Sequence, residues 1–116
     1  MNIIVNIITG IVALLHIYFL ILEMFLWEKP AGRKSFRTTA EFAAQSKTLA
    51  ANQGLYNGFL AAGLIWGLFA SDNLVKIFFL SCVIIAGIFG AFTVSKRIFY
   101  IQALPALIGL VILLVA

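Results

Sequence analysis

Apolar residues run along this chain in four long stretches, at about 3–27, 49–70, 74–94 and 98–116, separated by short polar intervals and one longer one at 28–47. Each stretch approaches the ~20 residues that a helix needs to cross ~30 Å of hydrocarbon. A membrane β-barrel would instead alternate in segments of about ten residues. The pattern therefore predicts an all-α fold, an integral membrane bundle of four transmembrane helices forming a single membrane domain over residues 1–116. No Lys or Arg precedes the first stretch, and its apolar core is longer than the ~7–15 residues of a signal peptide, so it is expected to remain in the mature protein.

Composition sharpens this picture. The chain is 64% hydrophobic and 10% charged, whereas soluble domains hold about 45–50% apolar and about 25% charged residues. Charge then sets an orientation. Seven of the eight basic residues, Lys29, Arg33, Lys34, Arg37, Lys47, Lys96 and Arg97, fall in the intervals 28–47 and 95–97. Short loops rich in Lys and Arg stay in the cytoplasm, which puts both termini outside. The net charge of +4 marks topology and offers attraction to anionic headgroups. Membrane lipids are thus expected partners, and nucleic acid is not, because no basic stripe with aromatic platforms lies on a solvent-facing fold.

Within the basic interval, Pro30-Ala31-Gly32 is expected to stop the first helix. Thr38 and Glu41 have the spacing of a capping box, which starts the second helix in water near residue 39. Phe36 and Phe42 are expected at headgroup level.

The polar residues inside the apolar stretches are the candidate chemistry. On a wheel of about 100° per residue, Asn57, Tyr56, Asn52 and the glycines Gly63 and Gly67 lie within about 100° of Gln53, while Leu55, Phe59, Ala62 and Trp66 take the lipid side. In the first helix Asn2, Thr9, His16 and Glu23 repeat every seven residues and share one stripe, which must face protein or water. At a rise of 1.5 Å per residue, Glu23 and Gln53 lie roughly 6 Å inside the cytoplasmic boundary, Gln102 about 7 Å, Asn57 about 12 Å and His16 about 16 Å. Thr93 and Tyr100 add to the same half. The candidate pocket is therefore His16, Glu23, Asn52, Gln53, Tyr56, Asn57, Tyr100 and Gln102, open to the cytoplasm and closing near His16.

Each of these residues also has a plainer reading. The amides make interhelical hydrogen bonds, worth about 0.6 kcal/mol each in membranes. Glu23 is an anchor paired with the basic loop, and His16 is a neutral imidazole bonded to an amide rather than half of a proton relay with Glu23. One histidine and one cysteine, Cys82, provide too few ligands for zinc or an iron–sulfur cluster, and no phosphate-binding glycine loop or nucleophile elbow occurs. No metal, cofactor or catalytic residue is expected.

Gly54-x-x-x-Gly58, Gly63-x-x-x-Gly67 and Ala86-x-x-x-Gly90 let backbones approach closely, and predict a homo-oligomer as well as a tight bundle. Pro105 leaves the Ile101 carbonyl without its helical partner. Together these residues point to binding or transport of a small polar or amphipathic molecule, or a proton, coupled to protonation of Glu23. A structural or partner-binding scaffold is the alternative. A third reading is a membrane enzyme in which His16 and Glu23 act as acid and base on a lipid-soluble substrate.

The blocks "LEMFLWEKPAGRKSF", "LAANQGLYNGFLAAGLIWGL" and "FFLSCVIIAGIFGAFTVSKR", followed by "IQALPALIGL", closely resemble the bacterial family of small four-helix membrane proteins known as domain of unknown function thirteen hundred and four. The resemblance covers nearly the whole chain. It implies an integral protein of the bacterial cytoplasmic (inner) membrane, sets Glu23, Asn52, Gln53, Asn57 and Pro105 at family motif positions, and brings no activity with it. Small multidrug exporters have similar size and a carboxylate in the first helix, but not this sequence pattern or charge bias. The Arg-x-x-x-Asn-x-x-Glu motif of membrane glutathione transferases is absent, because Thr48 and Leu55 stand where its Arg and Glu would be.

Overall fold

The computed structural model describes residues 2–116, and every regular element among them is helical. In chain order these are α1 (Ile3–Met24), α2 (Pro30–Phe36), α3 (Ala40–Phe69), α4 (Asn73–Thr93), α5 (Lys96–Ile98), a π-helical turn (Phe99–Ala103) and α6 (Leu104–Val115). Among the described residues three helical runs are long and apolar enough to cross a membrane: Ile3–Met24, Asn73–Thr93 and Lys96–Val115. The sequence pattern predicted four. α3 is the longest helix at 30 residues, but Asn52, Gln53 and Asn57 dilute its apolar character.

Helix boundaries also differ from the expectation around the basic interval. α1 stops at Met24, short of the apolar run's end. Pro30 begins α2 rather than ending α1, because its missing N–H and fixed φ suit the first helical turn. The chain leaves α2 through Arg37, whose φ of 55° is left-handed, and the Thr38 N–H closes the end on the Arg33 carbonyl at 3.0 Å. Thr39, not Thr38, then caps α3, its Oγ1 accepting from the Phe42 N–H at 3.1 Å.

The chain divides into two compact units, residues up to Leu14 together with Leu60–Ala116, and Leu15–Phe59. The first unit has a core of Val12, Ala13, Leu64, Leu80, Val83 and Ala106, drawn from α1, α3, α4 and α6. Glycines bring its helices close. The Phe79 ring lies over Gly63, Gly109 faces Ile8, and a methyl at Gly87 would come within 2.7 Å of the Ala103 backbone nitrogen. Ala103 belongs to the π-turn, in which the Leu104 N–H bonds the Phe99 carbonyl five residues back. A proline ring clashes with the preceding helical turn, and widening that turn by one residue relieves the clash. Asp72 ends the tight α3–α4 connection by capping α4, accepting from the Leu74 and Val75 N–H groups at 3.0 and 3.2 Å.

In the second unit α2 is fastened, not free. Trp27 packs on Phe36 with ring centroids 4.9 Å apart and donates its Nε1 proton to Ser46 Oγ at 3.1 Å. Gly32 sits against the backbone of Leu26 and Trp27. Ala43, Ala50, Gly54 and Asn57 are the buried positions on this part of α3, and their spacing of seven, four and three residues is that of a helix seam.

Many large apolar side chains are exposed on the helices. On α4, Phe78, Ile85, Phe89 and Phe92 are all exposed, at spacings of seven, four and three that form one continuous stripe. Leu55, Phe59 and Trp66 are likewise exposed on α3.

Candidate functional site

The chemically distinctive group of the second unit is a carboxylate held by an amide. Glu23 lies in the last turn of α1 and Asn57 near the middle of α3; both are buried at 7% exposure. The Asn57 Nδ2 donates to Glu23 Oε1 at 2.5 Å. α3 reaches α1 closely enough for this because position 54 is glycine: a Cβ there would come within 2.6 Å of Met24 Cγ and 3.1 Å of Glu23 Cβ. A carboxylate offers about four acceptor positions, and Asn57 occupies one.

Glu23 also lines an open cleft of about 590 Å³, together with Trp27, Glu28, Lys29, Lys47 and Asn52. The cleft therefore carries charges of both signs together with the apolar side chains of Met24, Phe25 and Ala51. Lys47 and Glu28 approach to 3.9 Å at its exposed edge, where an ion pair contributes little. The arrangement can receive hydrogen-bond donors or a cation on Glu23 while the aromatic wall takes an apolar body.

The remaining sequence-selected residues are divided between the two units. His16 is fully buried and meets Phe19 edge to face with centroids 5.4 Å apart. It lies seven residues from Glu23, roughly 10 Å along the helix axis. Asn52, Gln53 and Tyr56 are exposed on α3; Asn52 borders the cleft. Tyr100 is exposed and Gln102 half-buried, both in the π-turn of the first unit. The shared wheel face of the α3 amides is thus divided: Asn57 lies on the buried seam, and Gln53, about 40° away, lies outside it.

Sequence reasoning missed three features. Gly32 and the Trp27–Ser46 bond fasten α2, and nothing in a polar loop signals such a contact. Lys76 is fully buried in α4, and here a signal existed, because it is the one basic residue outside the two basic intervals and stands in an apolar helix.

These features define a class: an all-α chain with long apolar helices and a buried carboxylate–amide pair beside a polar cleft. The chain belongs to the family described as "Protein of unknown function (DUF1304)", whose model matches residues 10–114. It is also 31% identical over 115 residues to "Uncharacterized protein YpaA" of Lactococcus lactis subsp. lactis (strain IL1403), covering 96% of this chain and 97% of that protein. No solved structure matches. The matched family is the one the sequence blocks resemble, and its description goes no further than unknown function. A four-helix inner-membrane architecture and motif roles for Glu23, Asn52, Gln53, Asn57 and Pro105 therefore do not come with membership.

Proposed function

We propose that the protein is a multi-pass protein of the bacterial cytoplasmic membrane, a bundle of four transmembrane helices with α3 as the fourth span, residues 28–47 and 95–97 inside and both termini outside. In this reading it binds or passes a small polar or amphipathic molecule, or a proton, through the cleft beside Glu23. The membrane part rests on the apolar exterior. Soluble monomers rarely expose contiguous apolar patches beyond a few hundred Å², and here whole helix faces are apolar and exposed.

The observation that carries the functional part is the Glu23–Asn57 pair, buried yet bordering an open cleft. A carboxylate used only for packing needs no cleft. A carboxylate within a membrane-spanning segment is costly, and it commonly marks a substrate or proton path. Protonation removes its charge, which couples occupancy of the cleft to pH.

The test uses the full chain in liposomes, with tetraphenylphosphonium as an amphipathic-cation probe and a trapped pH-sensitive dye for proton flux. Glu23→Gln preserves shape and hydrogen-bonding capacity, so folding is expected to hold while cation binding or proton flux falls at least tenfold. Unchanged binding and flux in a stable Glu23→Gln protein would overturn the reading. A marked loss of thermal stability would assign Glu23 to packing, since removing one partner of a buried pair leaves the other uncompensated.

One observation favours a second, compatible reading. Gln53 and Tyr56 are exposed on α3 and do not line the cleft, and polar groups facing hydrocarbon are poorly satisfied. A second copy of the chain covering this face makes the protein a homo-oligomer.

A further inference from the structure

The first unit contains a recess of about 260 Å³, walled by Asn2, Asn6, Asn73 and Lys76 together with Val5, Leu113 and Ala116. Lys76 is 0% exposed and is the largest fully buried side chain of the described residues. Gly67 makes room for it: a Cβ there would lie 2.9 Å from Lys76 Cγ. An ammonium has three donors, and one of them meets Asn6 Oδ1 at 2.8 Å. Among the described residues no carboxylate lies within 4.0 Å of it. Asp72, one helical turn earlier, attracts the ammonium through space but directs its Oδ1 to the Leu74 and Val75 N–H groups.

The asparagines tilt the balance further toward donors. Asn2 Oδ1 accepts from the Ile4 and Val5 N–H groups at 2.9 and 3.3 Å, and Asn6 Oδ1 accepts from Lys76. Asn2 Oδ1 has thus filled both its lone pairs and Asn6 Oδ1 one of two, while each side chain keeps an NH2 that can only donate. A buried ammonium that spends one of its three donors on Asn6, with the amide NH2 groups of Asn2 and Asn6 close by, is costly unless an anion completes it. Charge-assisted bonds to oxyanions are among the strongest available. Donors spread over Asn2 ahead of α1, Asn6 on α1 and Lys76 on α4 suit tetrahedrally arranged oxygens better than a flat carboxylate.

We propose that the Lys76 recess is a binding site for a phosphate-type oxyanion, held by the Lys76 ammonium and the amides of Asn2 and Asn6. The anion is supplied either by a phospholipid headgroup or as free phosphate. The headgroup source rests on the membrane reading above; the free-phosphate source does not depend on it or on Glu23.

The experiment uses the full chain in mild detergent. Radiolabelled inorganic phosphate is followed by equilibrium dialysis, and phosphatidylglycerol against phosphatidylcholine by native mass measurement. Saturable retention of phosphate, of phosphatidylglycerol or of both is expected from the parent chain, and which probe is retained identifies the source. Lys76→Met is expected to weaken retention at least tenfold with helical content unchanged. Should Lys76→Met fail to fold, Asn6→Asp decides: it keeps the contact to Lys76 and places a carboxylate where the anion would sit, so retention is again expected to fall at least tenfold. Absence of saturable binding of either probe to the parent chain, or retention in folded Asn6→Asp within twofold of the parent, would overturn the proposal.

Discussion

At the scale of single residues, glycine does two different jobs in this chain, and substitution separates them. At Gly32 an added methyl would meet the Leu26 carbonyl oxygen at 2.1 Å and the Trp27 Cα at 3.0 Å, both backbone atoms that cannot swing aside. Overpacking costs typically about 1–3 kcal/mol, and a clash with fixed backbone belongs at the top of that range. Gly32→Ala is therefore expected to lower the thermal midpoint in detergent clearly and to alter Trp27 fluorescence, since Trp27 packs on the same segment. Gly10 has nothing within 4 Å of the added methyl. Gly10→Ala should be neutral or stabilising by up to about 1 kcal/mol, the helix-propensity gain. Equal midpoints for the two variants would show that α2 does not depend on the Gly32 approach. Glu23 and Lys76 are the other residues that decide something here. Each is a buried ionisable group with an asparagine partner, and each has bonding capacity beyond that partner.

Among the elements, α2 is the one whose character changed most between sequence and structure. A stretch that reads as a loop broken by Pro30 and Gly32 is a short helix carrying Arg33 and Lys34, pinned by Trp27 and Phe36. Basic residues flanked by aromatics are at home at the membrane–water boundary, and the proposed orientation puts this element on the cytoplasmic side. Ala31, exposed on α2, provides the test. In a Cys82→Ser background, Ala31→Cys is expected to resist a membrane-impermeant thiol reagent added outside intact cells and to react once the cells are opened. Ready labelling from outside would reverse the orientation, and with it the claim that the Glu23 cleft opens inward. The π-turn illustrates the same dependence on neighbours. Pro105 removes a helical hydrogen bond, but it is the contact between Ala103 and Gly87 that gives the widened turn a packing partner.

For the whole molecule, the question is what covers the polar face of α3. If Gln53 and Tyr56 face hydrocarbon, their polar atoms are left poorly satisfied, and self-association through that face answers the deficit at about 0.6 kcal/mol per interhelical hydrogen bond. Native mass measurement in mild detergent is expected to show a dimer or higher oligomer, and Gln53→Leu to shift it toward monomer. A parent chain that is monomeric at every concentration would end the homo-oligomer proposal. Because Gln53 lies outside the buried seam that holds Asn57, this variant leaves the Glu23–Asn57 pair in place, so assembly and cleft are tested separately.

The sequence by itself determined the helical class and the apolar exterior, because both follow from periodicity and composition, which are local and additive along the chain. It also picked out Glu23 and Asn57, since a carboxylate and amides stand out in an apolar run. It did not determine which amide meets the carboxylate. Asn52, Gln53 and Asn57 sit within two turns of one another, and only the close approach at Gly54 selects Asn57 for the seam. Nor did it reveal that Lys76 is buried against Asn6, seventy residues away in the chain. Pairings of that kind depend on how backbones approach across a helix interface, a property of two segments at once that neither segment's own pattern contains.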